Sequence, residues 1–145
     1  MIIEVALAFA ATFSFSCLFN IPKGELLFVG LTGALGWLVY KALLLSGVDE
    51  YVCMFAASVA VAWLSRIMTA LRKMPLTVFL VGGIISLVPG AGIYNAILDL
   101  LTGGEAVTTA KRTAMLFAAI CVGIIIVLSL PQSWFLPRIR RKPKS

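Results

Sequence analysis

Three residues that disfavour helices, Pro89, Gly90 and Gly92, lie within four positions of each other inside an uncharged stretch, residues 75–98. Such a stretch is long enough to cross a bilayer as a helix. Proline lacks the N–H that a helix needs and disfavours helical geometry at the preceding residue, and glycine permits positive φ. The spacing predicts a break in a spanning helix. Broken backbone at membrane depth is tolerated where it is buried in protein or lines a wet cavity.

A second half-helix that begins near Ala91 would point its unpaired N–H groups and its positive dipole end into that cavity. Discontinuous helices of transporters hold anionic groups, such as a substrate carboxylate, in this way. We therefore predict a substrate-binding set of six residues, the last two of which would add side-chain hydrogen bonds: Pro89, Gly90, Ala91, Gly92, Tyr94 and Asn95. The alternative is a proline kink that neighbouring helices satisfy without any ligand.

Other polar residues in apolar segments give further hypotheses. Asp99 follows the break by about two turns, and ionisable groups within spans are often functional, so Asp99 is the candidate for proton coupling. A solvated aspartate near the end of a span is the alternative. Arg66 is explained by snorkelling to the headgroups, or else by drawing anions to the mouth of a pathway.

Catalysis and metal binding are disfavoured by the residues that the chain contains. There is no histidine, which is the commonest general base and metal ligand. The three cysteines, Cys17, Cys53 and Cys121, are isolated in apolar runs, and the six carboxylates are scattered. We expect no enzyme activity, no metal, no cofactor and no nucleic-acid partner.

The composition places these residues in a membrane protein. The chain is 61% hydrophobic and 12% charged, whereas soluble domains carry about a quarter charged residues. We predict an all-α polytopic helical bundle in the lipid bilayer, with a single transmembrane domain at 1–136 and a basic cytoplasmic tail at 137–145. About five spans are expected, the fourth broken at Pro89–Gly90: residues 2–19, 26–45, 51–71, 75–101 and 113–130.

Basic residues set the orientation of such a bundle. With the tail in the cytoplasm, nine basic residues fall inside and three outside. The predicted topology has the N-terminus outside and the C-terminus inside. A four-span variant, with the first segment lying in the interface, leaves the other spans unchanged. Lys111 and Arg112 violate the rule. They either anchor the last helix at the outer headgroups or signal that the fourth segment crosses in an unusual way.

An ordered set of motifs resembles a known family. "LFNIP" at residues 18–22, Pro75 at the start of a span, "LVPGAGIYNAI" at residues 87–97, and "SLP" at residues 129–131 with Trp134 recur in that order. Together they resemble the short membrane subunit of the threonine/serine exporter family of bacteria. The family's proline-glycine signature corresponds to Pro89, Gly90 and Tyr94.

The resemblance implies a secondary exporter of small polar metabolites in the bacterial plasma membrane, chiefly threonine and serine, with small dicarboxylates for some members. It also implies that the chain needs a larger exporter subunit. A homo-oligomer is the other arrangement considered, because five spans are few for an independent carrier. A non-transporting membrane scaffold or assembly protein is the competing hypothesis.

Overall fold

The computed structural model describes residues 2–131, and these residues form six α-helices. The helices are α1 (Ile2–Leu18), α2 (Leu26–Leu45), α3 (Glu50–Arg72), α4 (Leu76–Ile85), α5 (Gly90–Thr102) and α6 (Ala106–Ser129). The described residues contain no strand, so the predicted all-α helical bundle is confirmed. The predicted basic tail and Trp134 lie outside the described residues.

Local sequence signals set three of the helix ends. The Asp49 side chain accepts a hydrogen bond from the Tyr51 N–H (3.0 Å) and so caps the start of α3. That helix ends where Lys73 adopts a left-handed conformation (φ 54°), two residues before Pro75. Gly103, with φ 77°, ends α5 in the same manner.

The number of spans depends on how α1 and the broken pair are counted. By length and apolar character, α2, α3 and α6 can each cross a membrane, and α4 with α5 makes a fourth span if the pair is taken together. At 17 residues, α1 is about 25 Å long, short of the roughly 30 Å hydrocarbon core. It nevertheless lies antiparallel along α2, with Glu4 paired to Lys41 (3.0 Å) near one end. The prediction of about five spans is therefore approximate.

The predicted start of the last span, at Thr113, is wrong by about two turns. The helix begins at Ala106, so Lys111 and Arg112 lie within it rather than before it. The charges of Lys111 and Arg112 interrupt the apolar sequence, but they do not end the helix. In the folded chain Arg112 pairs with Glu50 of α3, which gives the cation a partner at the end of the bundle.

Small residues bring the helices together. A Cβ atom at Gly33 would clash with Thr12 of α1, and one at Gly82 would clash with Val29 of α2. These contacts join α1, α2 and α4, which we call the frame together with α3. At the end of the frame where α2 ends and α3 begins lies a buried apolar cluster, comprising Tyr40, Cys53, Met54, Ala57, Val61, Leu87, Leu116 and Ile120.

The two remaining helices form a hairpin beside the frame. Much of α6 packs parallel to α3, because Glu50 pairs with Arg112 near the start of both helices and Arg66 bonds to the end of α6. Within residues 2–131, α5 packs against α6 alone. No residue of α5 is buried in the described part of the chain. The helix is therefore a peripheral arm attached to the frame through the residues between Ile85 and Gly90 and through α6.

Candidate functional site

The predicted break is present between α4 and α5. The helical axes differ by 50°. Pro89 is the N-cap of α5, with φ −74° and ψ 63°. Leu87 is fully buried in the apolar cluster and fixes the break to the frame. The hydroxyl of Ser86 lies 3.1 Å from the Gly33 carbonyl oxygen and 3.0 Å from that of Gly83. Protein groups thus compensate part of the interrupted hydrogen bonding, as broken backbone at membrane depth requires.

Gly90 and Gly92, the two glycines at the break, do not adopt positive φ. The expectation that they allow a left-handed conformation is wrong, because the positive-φ glycines of the described chain are Gly47 and Gly103. Gly92 is needed for close packing, since a Cβ there would lie 2.6 Å from Thr113 Oγ1. A Cβ at Gly90 would meet nothing within 4 Å. Gly90 therefore borders open space.

That space is a cavity of about 540 Å³ at the end of the bundle where α2 ends and α3 and α6 begin. Five of the six predicted binding residues line it: Pro89, Gly90, Ala91, Gly92 and Asn95. Tyr94 does not line the cavity, and 65% of its surface is exposed. The break and the first turn of α5 thus form one wall, and its size suits a small-molecule ligand.

The free backbone amides at the start of α5 are fewer than predicted. The Gly90 N–H donates to Val88 O (2.7 Å), and the N–H groups of Gly92 and Ile93 donate to Pro89 O (3.0 and 3.2 Å). Among the described residues, the Ala91 N–H has no recorded acceptor. Of the amides at 91–93, Ala91 is therefore the donor available to an anion, and the positive end of the α5 dipole adds to it.

A second wall of the cavity, formed by α2, α3 and α6, carries an ion pair that the sequence did not predict. Arg112 of α6 donates to Oε2 of Glu50, the first residue of α3. The Tyr40 hydroxyl donates to the other oxygen of Glu50, Oε1, at 3.4 Å. All three line the cavity. The available sequence signal was the pair of basic residues at 111–112, which the predicted topology places outside the membrane. Such a pair favours an acidic partner, but the linear sequence does not identify that partner.

Trp37 completes this wall. Its indole Nε1 is buried and has no hydrogen-bond partner among the described residues. Its ring centroid lies 5.3 Å from that of Tyr40, with 46° between the two planes. No sequence pattern distinguishes Trp37, because it is one aromatic residue in an apolar helix.

Asp99 lies outside the cavity lining. Its carboxylate accepts a hydrogen bond from the Thr109 hydroxyl (2.6 Å), and its carbonyl oxygen accepts one from the Gly104 N–H (2.8 Å). These contacts join the end of α5 to the start of α6. Proton coupling through Asp99 stays a prediction, and its observed contacts are those of a residue that holds the hairpin closed.

Two arginines near the other end of the frame connect helices. Arg66 donates to the carbonyl oxygens of Val127 and Leu130, both at 2.6 Å, and so caps the C-terminal end of α6. Arg72 donates to both carboxylate oxygens of Glu25, and this hydrogen bonding holds the pKa of Glu25 below its ordinary value of 4.5, against the opposing effect of desolvation. Both arginines have structural contacts distant from the cavity.

Within residues 2–131, no three His, Cys, Asp or Glu residues are placed to hold a metal ion. The family model described as Threonine/Serine exporter, ThrE, matches residues 4–130, which confirms the family resemblance. No curated protein and no solved structure matched the chain.

Proposed function

Because the chain belongs to the threonine/serine exporter family and is a multi-pass membrane protein with a role in export, we propose that the cavity at the α4–α5 break binds the exported substrate. The substrate would be a small polar metabolite that carries a carboxylate, of the threonine or serine type. The observation that carries the proposal is the convergence of five predicted binding residues on one cavity with polar groups on both walls.

The wall formed by the break would receive the carboxylate. The Ala91 N–H lacks an acceptor within residues 2–131, and the α5 dipole favours negative charge. The Asn95 side chain can donate from one turn further along the helix. Thr109 and Thr113 line the same space from α6. Their hydroxyls donate to Asp99 and to the Thr109 carbonyl oxygen, so they can only accept from a ligand. A few weak donors at one volume suit a ligand that must be released after transport.

We further propose that this chain is the short subunit of a two-component exporter in the bacterial plasma membrane. Three to four spans by length are few for an independent carrier. The cavity lies beside a peripheral arm that, among the described helices, packs against α6 alone. A larger exporter-type membrane subunit would complete the pathway, and a homo-oligomer is the other arrangement that could do so. The proposed orientation places the N-terminus outside and the C-terminus in the cytoplasm.

Metabolite efflux from cells tests the site and the partner together. The chain and a candidate larger subunit are expressed singly and jointly, and threonine and serine efflux is measured at matched membrane abundance. Efflux is expected from the pair and not from the chain alone. Gly90→Leu should abolish it by filling the cavity, and Asn95→Ala should lower it up to about tenfold, the value of one neutral hydrogen bond.

Lys73→Gln is the matched control, because Lys73 lies after α3 and does not line the cavity. Normal efflux from both Gly90→Leu and Asn95→Ala would show that the break is a packing kink and that the substrate site lies elsewhere. Loss of partner assembly on deleting this chain, together with normal efflux from its cavity variants, would instead favour the scaffold hypothesis. A reporter active only in the cytoplasm, fused after Ser145 or within the 46–49 loop, tests the orientation: the tail fusion should be active and the loop fusion silent.

A further inference from the structure

The two walls of the cavity differ in charge and in chemistry. Fifteen residues within the described range 2–131 line it, and among these Glu50 and Arg112 carry the only formal charges. The lining is therefore electrically neutral as a whole, with both charges on the part of the wall that α3 and α6 form. A neutral site that contains one group of each sign complements a zwitterion better than a dianion, because each end of a zwitterion finds a counter-charge.

We propose that Glu50, Tyr40 and Trp37 form the binding site for the ammonium group of the substrate, which makes this wall the determinant of specificity. The proposal rests on the proposed function of the cavity. It adds a site for the ammonium group to the carboxylate-binding wall described above. The Glu50 carboxylate is a fixed anion at the cavity surface, and its side chain is 27% exposed. An ammonium group that reaches it gains a charge-assisted hydrogen bond.

The two aromatic rings add a second attraction for a cation. Trp37 and Tyr40 lie one turn apart on α2, and both line the cavity beside Glu50. Trp and Tyr faces attract ammonium groups through the ring quadrupole, most strongly where water is excluded. The Tyr40 hydroxyl also holds Glu50 Oε1, which fixes the carboxylate next to the rings.

Arg112 explains how the pair accepts a ligand with two charges. In the described structure the charges of Arg112 and Glu50 neutralise each other in an ion pair. A zwitterion can separate them, since its ammonium replaces the guanidinium at Glu50 while its carboxylate, held at the break, supplies to the cavity the negative charge that balances Arg112. A dicarboxylate satisfies Arg112 and leaves Glu50 beside a second anion. Discrimination against dianions therefore comes from repulsion at Glu50 as well as from attraction elsewhere.

Binding to the purified full-length chain in lipid nanodiscs tests this assignment with three probes. The probes are L-threonine, its amino alcohol, which lacks the carboxylate, and its 2-hydroxy acid, which lacks the ammonium group. Glu50→Gln should weaken binding of threonine and of the amino alcohol by about tenfold or more, the loss expected for a charge-assisted hydrogen bond. Binding of the hydroxy acid should be unchanged or tighter. That result also shows that the cavity of the variant is intact.

Trp37→Leu should weaken binding of the same two ammonium probes and spare the hydroxy acid. Trp63→Leu is the matched control, because Trp63 is an aromatic residue of α3 that does not line the cavity. If Glu50→Gln weakens binding of all three probes equally, or leaves threonine binding unchanged, the ammonium assignment is wrong while the cavity remains the substrate site. If the parent protein binds none of the probes, the proposed substrate site itself is wrong, and the assignment fails with it.

Discussion

The frame and the peripheral arm are built from similar apolar sequence but are held in opposite ways. In the frame, Gly33 and Gly82 let helices approach until any side chain at these positions would clash with Thr12 or Val29, and both glycines are buried. The arm, α5, has no buried residue and packs on one helix. Since few buried contacts mean a low cost of local opening, stability resides in the frame and movement is expected in the arm. The cavity lies where the two regions meet.

The largest expected effect comes from overfilling the frame. Gly33→Leu should destabilise the protein by at least about 3 kcal/mol, because the added side chain would overlap Thr12 at a helix crossing that cannot widen without moving α1. Thermal unfolding in detergent measures this. Gly90→Leu, at a glycine with nothing within 4 Å of a Cβ, should unfold at the parental temperature. Equal midpoints for the two variants would contradict the distinction between frame and arm.

A smaller effect is expected where the arm meets α6. A Cβ at Gly92 would lie 2.6 Å from Thr113 Oγ1, so Gly92→Ala should loosen the hairpin by about 1–2 kcal/mol. The loss should appear as faster amide hydrogen exchange within α5 rather than as a large change in the unfolding midpoint. Thr113→Ala removes the clashing atom and should restore protection in the double variant. Additive effects of the two substitutions would refute this packing account.

A pH-dependent effect is expected at the far end of the frame. The pKa of Glu25 is lowered by its hydrogen bonds from Arg72, so the pair stabilises the folded state above the ordinary value of 4.5. This contribution is lost as the pH falls through the lowered pKa of the folded state. Unfolding midpoints measured from pH 7 down to pH 3 should therefore fall less steeply in Glu25→Gln than in the parent. Parallel curves would show that the pair contributes nothing to acid sensitivity.

The smallest effect is expected at the turn that closes the hairpin. Thr109→Val removes the hydroxyl that donates to Asp99 at 2.6 Å. Because the groups are only partly buried, the cost should be about 0.5 kcal/mol, and the global unfolding midpoint should stay unchanged. Faster exchange of the Gly104 N–H, which bonds to the Asp99 carbonyl, is the measurable consequence. A drop in the global midpoint would place this turn in the cooperative core and not in the arm.

Several features could be predicted because they depend on nearest neighbours in the chain. The break at Pro89 follows from the missing N–H and the steric demand of the ring, and the axes do bend there by 50°. The end of α5 at Gly103 and the cap at Asp49 are equally local. Five of the six residues predicted to bind substrate line the cavity because they are consecutive or nearly so around that break. Tyr94 lies on the exposed side of α5. Which side of a helix is exposed depends on what packs against its other side, and the local sequence does not determine that.

The sequence by itself therefore determined the membrane class, the helices and the interruption in the fourth segment, since composition and backbone chemistry act over a few residues. Only the tertiary structure brought Glu50 to Arg112, 62 positions apart, and placed Trp37 and Tyr40 beside them. It also decided that Gly92 serves close packing while Gly90 borders open space. The physical reason is that an ion pair or a cavity wall needs surfaces from separate helices, and their approach is set by packing of the whole bundle rather than by any local propensity.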